Sequence, residues 1–155
     1  MRQLALMGTL AGAIVALIST APMLGAAIEQ QLPSNVDVPE GDAELGTVSL
    51  PRGVMADGET LSAGDYQVRL TARAARPDTV GALTVLERWV EFSQGDNLRG
   101  REVATIVPSD EISDVAKSAG PGPGSSRVEL LKEDEYMRVW INQGGTHYLI
   151  HLVVS

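Results

Sequence analysis

Between Tyr136 and Val153 the chain alternates about a Gly144-Gly145 pair, and no other stretch restricts the fold as tightly. With Gly144-Gly145 as a two-residue turn, Ile141 opposes Tyr148, Val139 opposes Ile150 and Met137 opposes Leu152, so one face of the hairpin is wholly apolar. Such a face belongs in a core. The same register sets Asn142 beside His147, Trp140 beside Leu149, Arg138 beside His151 and Tyr136 beside Val153 on the other face. A four-residue turn keeps both faces intact, whereas a three-residue turn mixes them.

Period-two patterning recurs upstream. Tyr66, Val68, Leu70 and Ala72 share one face of Gly64 to Ala72, while Gln67, Arg69, Thr71 and Arg73 share the other, as a strand with one wet side requires. Two further strands are expected over Leu83 to Ser93 and Leu98 to Val107, joined by Gln94-Gly95-Asp96-Asn97. A helix is expected over 109–119, with Ser109 as its cap, Asp110 and Glu111 at its positive end, and Ile112, Val115, Ala116 and Ala119 at helical spacing. Gly120 and Pro121 stop it, and a flexible Gly120 to Ser126 loop leads into another strand-like stretch. These signals predict an all-β chain, a mainly antiparallel β-sandwich of six to eight short strands with one short helix near 109–119.

The N-terminus has the layout of a secretory signal peptide. Arg2 precedes an uncharged apolar run from Leu4 to Ile18, and Gly25-Ala26-Ala27 supplies small residues for cleavage after Ala27. An uncleaved segment would anchor the chain in a membrane, since Leu4 to Ile28 carries no charge and is long enough to cross a core of about 30 Å. Either way residues 28–155 are expected outside the cytoplasm, in the periplasm or the extracellular space. Residues 28–43, acidic and interrupted by Pro33 and Pro39, read as a flexible linker, and 44–155 as a single domain. The chain has no cysteine, so its apolar core must hold it without disulfides.

Removing residues 1–27 takes away Arg2 and no acidic residue, leaving 11 basic against 20 acidic side chains and a formal charge of −9. That balance argues against nucleic acid and anionic lipid as partners, which draw on clustered Lys and Arg. Arg69, Arg73, Arg76, Arg88, Arg99 and Arg101 concentrate positive charge in the middle of the chain. A solvated surface accounts for them; an arginine-lined anion site would require several to converge on one face.

Motifs for chemistry are scarce. His147 and His151 are the two histidines, and on a strand their α-carbons stand roughly 13 Å apart, too far to share a zinc ion unaided. The acidic turn Lys132-Glu133-Asp134-Glu135 lacks the spacing of a calcium loop. No serine sits in Gly-x-Ser-x-Gly or Ser-x-x-Lys, and no nucleotide-binding glycine loop occurs. No catalytic residue, metal ligand or cofactor is therefore expected. The candidate binding face consists of Tyr136, Arg138, Trp140, Asn142, His147 and His151, where rings stand beside hydrogen-bonding groups suited to a protein, a peptide or a glycan. A second layer over this sheet, such as the 109–119 helix, would close it.

Leu61-Ser-Ala-Gly64-Asp-Tyr66-Gln-Val68 resembles the Leu-x-x-Gly-x-Tyr-x-Val hairpin of small exported bacterial β-sandwich domains of the prealbumin-like and carboxypeptidase regulatory-like kind, over about residues 48–72. The resemblance implies a fold and a compartment, with the tyrosine entering the core, and no catalytic residues. The expected function is an exported, non-catalytic binding or structural module of the cell envelope or extracellular space. Two alternatives remain: a small secreted hydrolase using His147 or His151 with a carboxylate, and an assembly subunit pairing through its 28–43 arm with a neighbour's open sheet edge.

Overall fold

A computed structural model of the protein describes residues 37–75 and 86–155. The leader at 1–27, arm residues 28–36, Arg76 and the expected strand start at 83–85 lie outside them. Nine strands and one short helix follow in the order β1 (Ala43–Leu50), β2 (Val54–Ala56), β3 (Glu59–Leu61), β4 (Gly64–Ala74), β5 (Glu87–Gln94), β6 (Asn97–Val107), α1 (Ile112–Ala116), β7 (Ser125–Leu131), β8 (Tyr136–Gln143) and β9 (Thr146–Val154). The fold is all-β, and every strand pairing is antiparallel. Two three-residue strands, β2 and β3, take the number above the six to eight expected.

Hydrogen-bonded neighbours run β1-β4-β5-β6-β9-β8-β7, so the layers belong to one continuous sheet. The β2–β3 hairpin joins β9 through Val54–Val154 and Met55–Val153, beyond the 147–150 stretch that pairs with β6. The sheet curls until β1 comes within 8 Å, Cα to Cα, of β7 and β8. One apolar core fills the concave side, with Val48, Tyr66, Val68, Leu70, Val90, Phe92, Ile106, Met137, Val139, Ile150 and Leu152 among its members. The ring of Tyr66 meets Phe92 edge-on at 6.3 Å, and its hydroxyl donates to the Ser62 carbonyl at 2.8 Å, so this buried tyrosine keeps its polar end satisfied. Leu61 and Gly64 do not close a hairpin, however. Strand β3 pairs with β2, and β4 returns to β1 with Gly64 opposite Leu50, so β2–β3 is an excursion from the β1–β4 ladder.

Local chemistry explains other departures. The β5–β6 turn is the two residues Gly95-Asp96, with Gln94 opposite Asn97. Ala72 is exposed and Thr71 buried, because a register shift between Leu70 and Ala74 reverses the alternation, and the Thr71 hydroxyl then donates to the Trp89 carbonyl at 2.9 Å. The helix is shorter than expected. Its N-cap is Glu111 with no side-chain cap, while Ser109 donates instead to the Gly145 carbonyl, and Lys117 ends it in the left-handed conformation. Ile112 and Ala116 are buried, but Val115 and Ala119 are exposed.

The described end of the arm is held tightly. Arg88, at the start of β5 and only 4 % exposed, donates from Nε to the Thr71 carbonyl and from Nη2 to the Gly41 carbonyl, both at 2.6 Å, and from Nη1 to the Pro39 carbonyl. Asp42 accepts the Ala72 amide at 2.8 Å, Thr146 Oγ1 donates to the Asp37 carbonyl at 3.2 Å, and Val38 packs on the core. Residues 37–42 are thus a strap across the mouth of the curled sheet, which corrects the expectation of a loose linker for this part of 28–43. Burial lowers the Arg88 pKa, yet a guanidinium stays charged at any physiological pH, and three carbonyl dipoles compensate it. Arg88→Lys removes the fork that reaches all three. It should cost about 2–3 kcal/mol in urea unfolding and accelerate amide exchange over 37–42, whereas unchanged exchange there would show that the strap is held by other contacts.

Candidate functional site

The β8–β9 register is the one expected from sequence: Ile141 faces Tyr148, Val139 faces Ile150, Met137 faces Leu152, and Asn142, Trp140, Arg138 and Tyr136 face His147, Leu149, His151 and Val153. Gly144 and Gly145 both adopt positive φ, 63° and 96°, as a tight two-residue turn matching the sheet twist demands. Strand β7 extends the outer face, adding Ser125, Arg127, Glu129 and Leu131 beside Asn142, Trp140, Arg138 and Tyr136. Four rows of side chains result, and they divide into two halves.

The half nearest the Gly144-Gly145 turn is covered. Trp140 has no exposed surface; Val107, Ile112, Ala116 and Leu149 pack around it, so α1 forms a second, small apolar cluster outside the sheet. Trp140 Nε1 donates to His147 Nδ1 at 2.9 Å, which places the histidine's own proton on Nε2, and the rings meet at 63° with centroids 5.8 Å apart. The guanidinium carbons of Arg127 and Arg138 lie 5.0 Å and 4.9 Å from the indole centroid. Asn142 is buried as well, donating to the Pro121 carbonyl and accepting the Gly145 amide, both at 2.9 Å. Trp140, Asn142 and His147 are therefore sealed, which corrects their expected place in an open binding face.

The other half is open. Leu131, Lys132, Tyr136 and His151 line a shallow cleft of about 560 Å³, Val153 continues its row at 49 % exposure, and the Lys132 ammonium stands 5.1 Å from the Tyr136 ring centroid. Arg138 is half-buried between the halves, its Nε donating to Glu129 at 2.9 Å; Arg127 reaches the same carboxylate at 2.9 Å. Of the six expected residues, the structure leaves Tyr136, Arg138 and His151 together at an accessible surface. Leu131 and Lys132 were not singled out by sequence reasoning. The strand-like stretch after Gly124 and the unbroken run Tyr148-Leu149-Ile150, too apolar for a strand with one wet face, are the signals that could have pointed to β7 and to the cover.

Other expectations find specific outcomes. Arg69 pairs with Glu91 at 2.8 Å and lies 3.7 Å from Asp42; Arg101, in the same cross-strand row beyond Glu91, pairs with Asp57 at 3.0 Å and stacks over Trp89; and Arg88 serves the strap, so each of these three arginines is engaged by partners within the chain. Among the described residues no carboxylate or hydroxyl is hydrogen-bonded to either histidine, and no group of three His, Asp or Glu comes together as a metal site would require. Comparison with known proteins finds no matching family model, no matching curated protein and no matching solved structure.

Gly120 has φ +76°, and a Cβ there would stand 2.1 Å from Trp140 Cζ2, so Gly120→Ala meets both backbone strain and a rigid ring. It should lose about 2 kcal/mol or more in urea unfolding and expose Trp140 to acrylamide quenching. Burial lowers the His147 pKa below its ordinary 6.5, and burial with the Arg138 charge lowers that of His151. Acidification below about pH 6.5 therefore protonates the unfolded chain first, and folding stability, complete above that pH, falls until the folded-state pKa values are reached. His147→Asn keeps an acceptor for Trp140 without titrating; unfolding curves at pH 7.5 and 5.5 should differ less for this variant than for the native chain, with the remaining difference due to His151 and carboxylates.

Proposed function

We propose that this protein is an exported, non-catalytic module that binds or supports another molecule in the cell envelope or extracellular space. The observation that carries this reading is the open half of the β7–β8–β9 face. Leu131, Tyr136 and Val153 leave apolar surface beside Arg138 and His151, on a sheet whose remaining outer apolar residues along β8 and β9 are closed by α1. An amphipathic patch with one aromatic ring and flanking charge suits a peptide, a protein loop or a glycan. Export is supported by the sequence layout of residues 1–27. The hydrolase alternative would need a base held by a carboxylate and aimed at a nucleophile, and His147 is instead the acceptor of a structural indole hydrogen bond. The arm-exchange alternative would fall to residues 28–36, since 37–42 strap the chain's own sheet.

The test has two arms. A fusion of the whole chain to an enzyme active only outside the cytoplasm should be active, and mass spectrometry of the exported product should place its N-terminus at Ile28; a cytoplasmic, unprocessed product would overturn export. Site-directed photo-crosslinking from Tyr136 in intact cells should capture a partner that crosslinking from Gln67, on the outer face of β4, does not. Tyr136→Ala with Val153→Asp should weaken binding of the captured partner by tenfold or more while leaving the unfolding midpoint nearly unchanged. Equal capture from both positions would sink the reading.

A further inference from the structure

We propose that the cleft between Leu131, Lys132, Tyr136 and His151 takes a small amphipathic anion, its apolar body against Leu131, Tyr136 and Val153 and its anionic head at the Lys132 ammonium. The proposal rests on the binding role assigned to this face and names the ligand chemistry it fits.

Size and lining come first. At about 560 Å³ the cleft is within the range of small-molecule sites, and Leu131, Tyr136 and Val153 lie in one cross-strand row, giving a continuous apolar floor. Charge selects the head group. At the rim Lys132 has no carboxylate within salt-bridge distance among the described residues, and beside it Arg127 and Arg138 share the single carboxylate of Glu129. Of the acidic residues in the adjoining turn, Asp134 is neutralised by Arg52 at 3.1 Å, and Glu133 and Glu135 are exposed and form no part of the lining.

The turn itself supplies the third observation. Lys132, Glu133 and Asp134 all hold positive φ, 51°, 54° and 71°, and a non-glycine residue in that region costs roughly 1 kcal/mol or more. A loop needed only to reverse the chain has cheaper solutions in glycine or asparagine. This one carries Lys132 back over the Tyr136 ring at the rim of the cleft.

His151 reports on the site. Arg138 on β8, Glu129 on β7, and Lys132 and Tyr136 at the rim are the charged and titratable groups around it; desolvation first and the Arg138 charge second lower its pKa, and an anion seated among them opposes the second. The experiment is an NMR titration of the full chain with octanoate, octyl phosphate and octyl glucoside below their micelle concentrations, following the His151 ring proton. Both anions should shift it saturably and leave its pKa higher than the glucoside does at saturation, with the glucoside at least tenfold weaker. Lys132→Gln should weaken the anions fivefold or more and leave the glucoside unaffected, while Tyr136→Ala should weaken all three. Carboxylate and phosphate that bind alike identify charge and tail as the shared requirement; a preference for one names the head group. Equal affinity for the glucoside, no effect of Lys132→Gln, or no saturable shift up to 10 mM in a folded protein would overturn the proposal. Those outcomes leave the broader binding role standing if crosslinking from Tyr136 still captures a partner, so the two readings fail separately.

Discussion

From Thr146 to Ile150 strand β9 is buried on both sides, and the rest of the molecule is arranged around that stretch. Tyr148, Ile150 and Leu152 enter the main core, while His147 and Leu149 on the opposite face lie under α1. Its two edges are used as well, one by β8 over the whole strand and the other by β6 and then β2. This half of the strand presents no wet face: the five-residue helix packs over the neighbouring indole, and the Gly-Pro loop lies against it at Gly120. The indole N–H must find an acceptor once buried, and His147 provides it from the adjacent strand; left unpaired, such a group costs about 1–3 kcal/mol.

The hairpin was legible in the sequence because two independent signals agree there. Glycines at 144 and 145 permit the turn, and alternation on both sides of it selects the same register. The cover over Trp140 was legible as one of two readings of that face, because alternation separates two faces without saying which element packs on either. Ser109 shows the same limit: a serine before acidic residues has the local chemistry of a cap, but the Gly145 carbonyl, 36 residues away, is the partner the fold supplies. Ala72 and Thr71 exchange places because a register shift interrupts the period of two, and the sequence contains no mark of where a sheet will shift.

Arg88 was the least foreseeable residue. Its sequence context suggests a solvated cation in a strand, whereas the structure uses it as a buried organiser of three carbonyls from two segments more than 25 residues apart. Carbonyl partners leave no trace in a composition, unlike the carboxylates that accompany Arg69 and Arg101. Its planar fork can satisfy several backbone acceptors at once without a counter-ion, which a lysine cannot do. Through it, residues 37–42, with Pro39 and three acids, become part of the domain.

The strap and the cleft occupy opposite poles of one hairpin. Asp37 is fixed at Thr146, beside the reversal of the chain, while Tyr136 and Val153 close the far end of the same two strands, seven residues and about 23 Å along β9. Whatever precedes Asp37 enters at the first pole. The hairpin's length therefore separates the point where the chain enters the domain from the open cleft, with β6 and β7 bracing the span on either side.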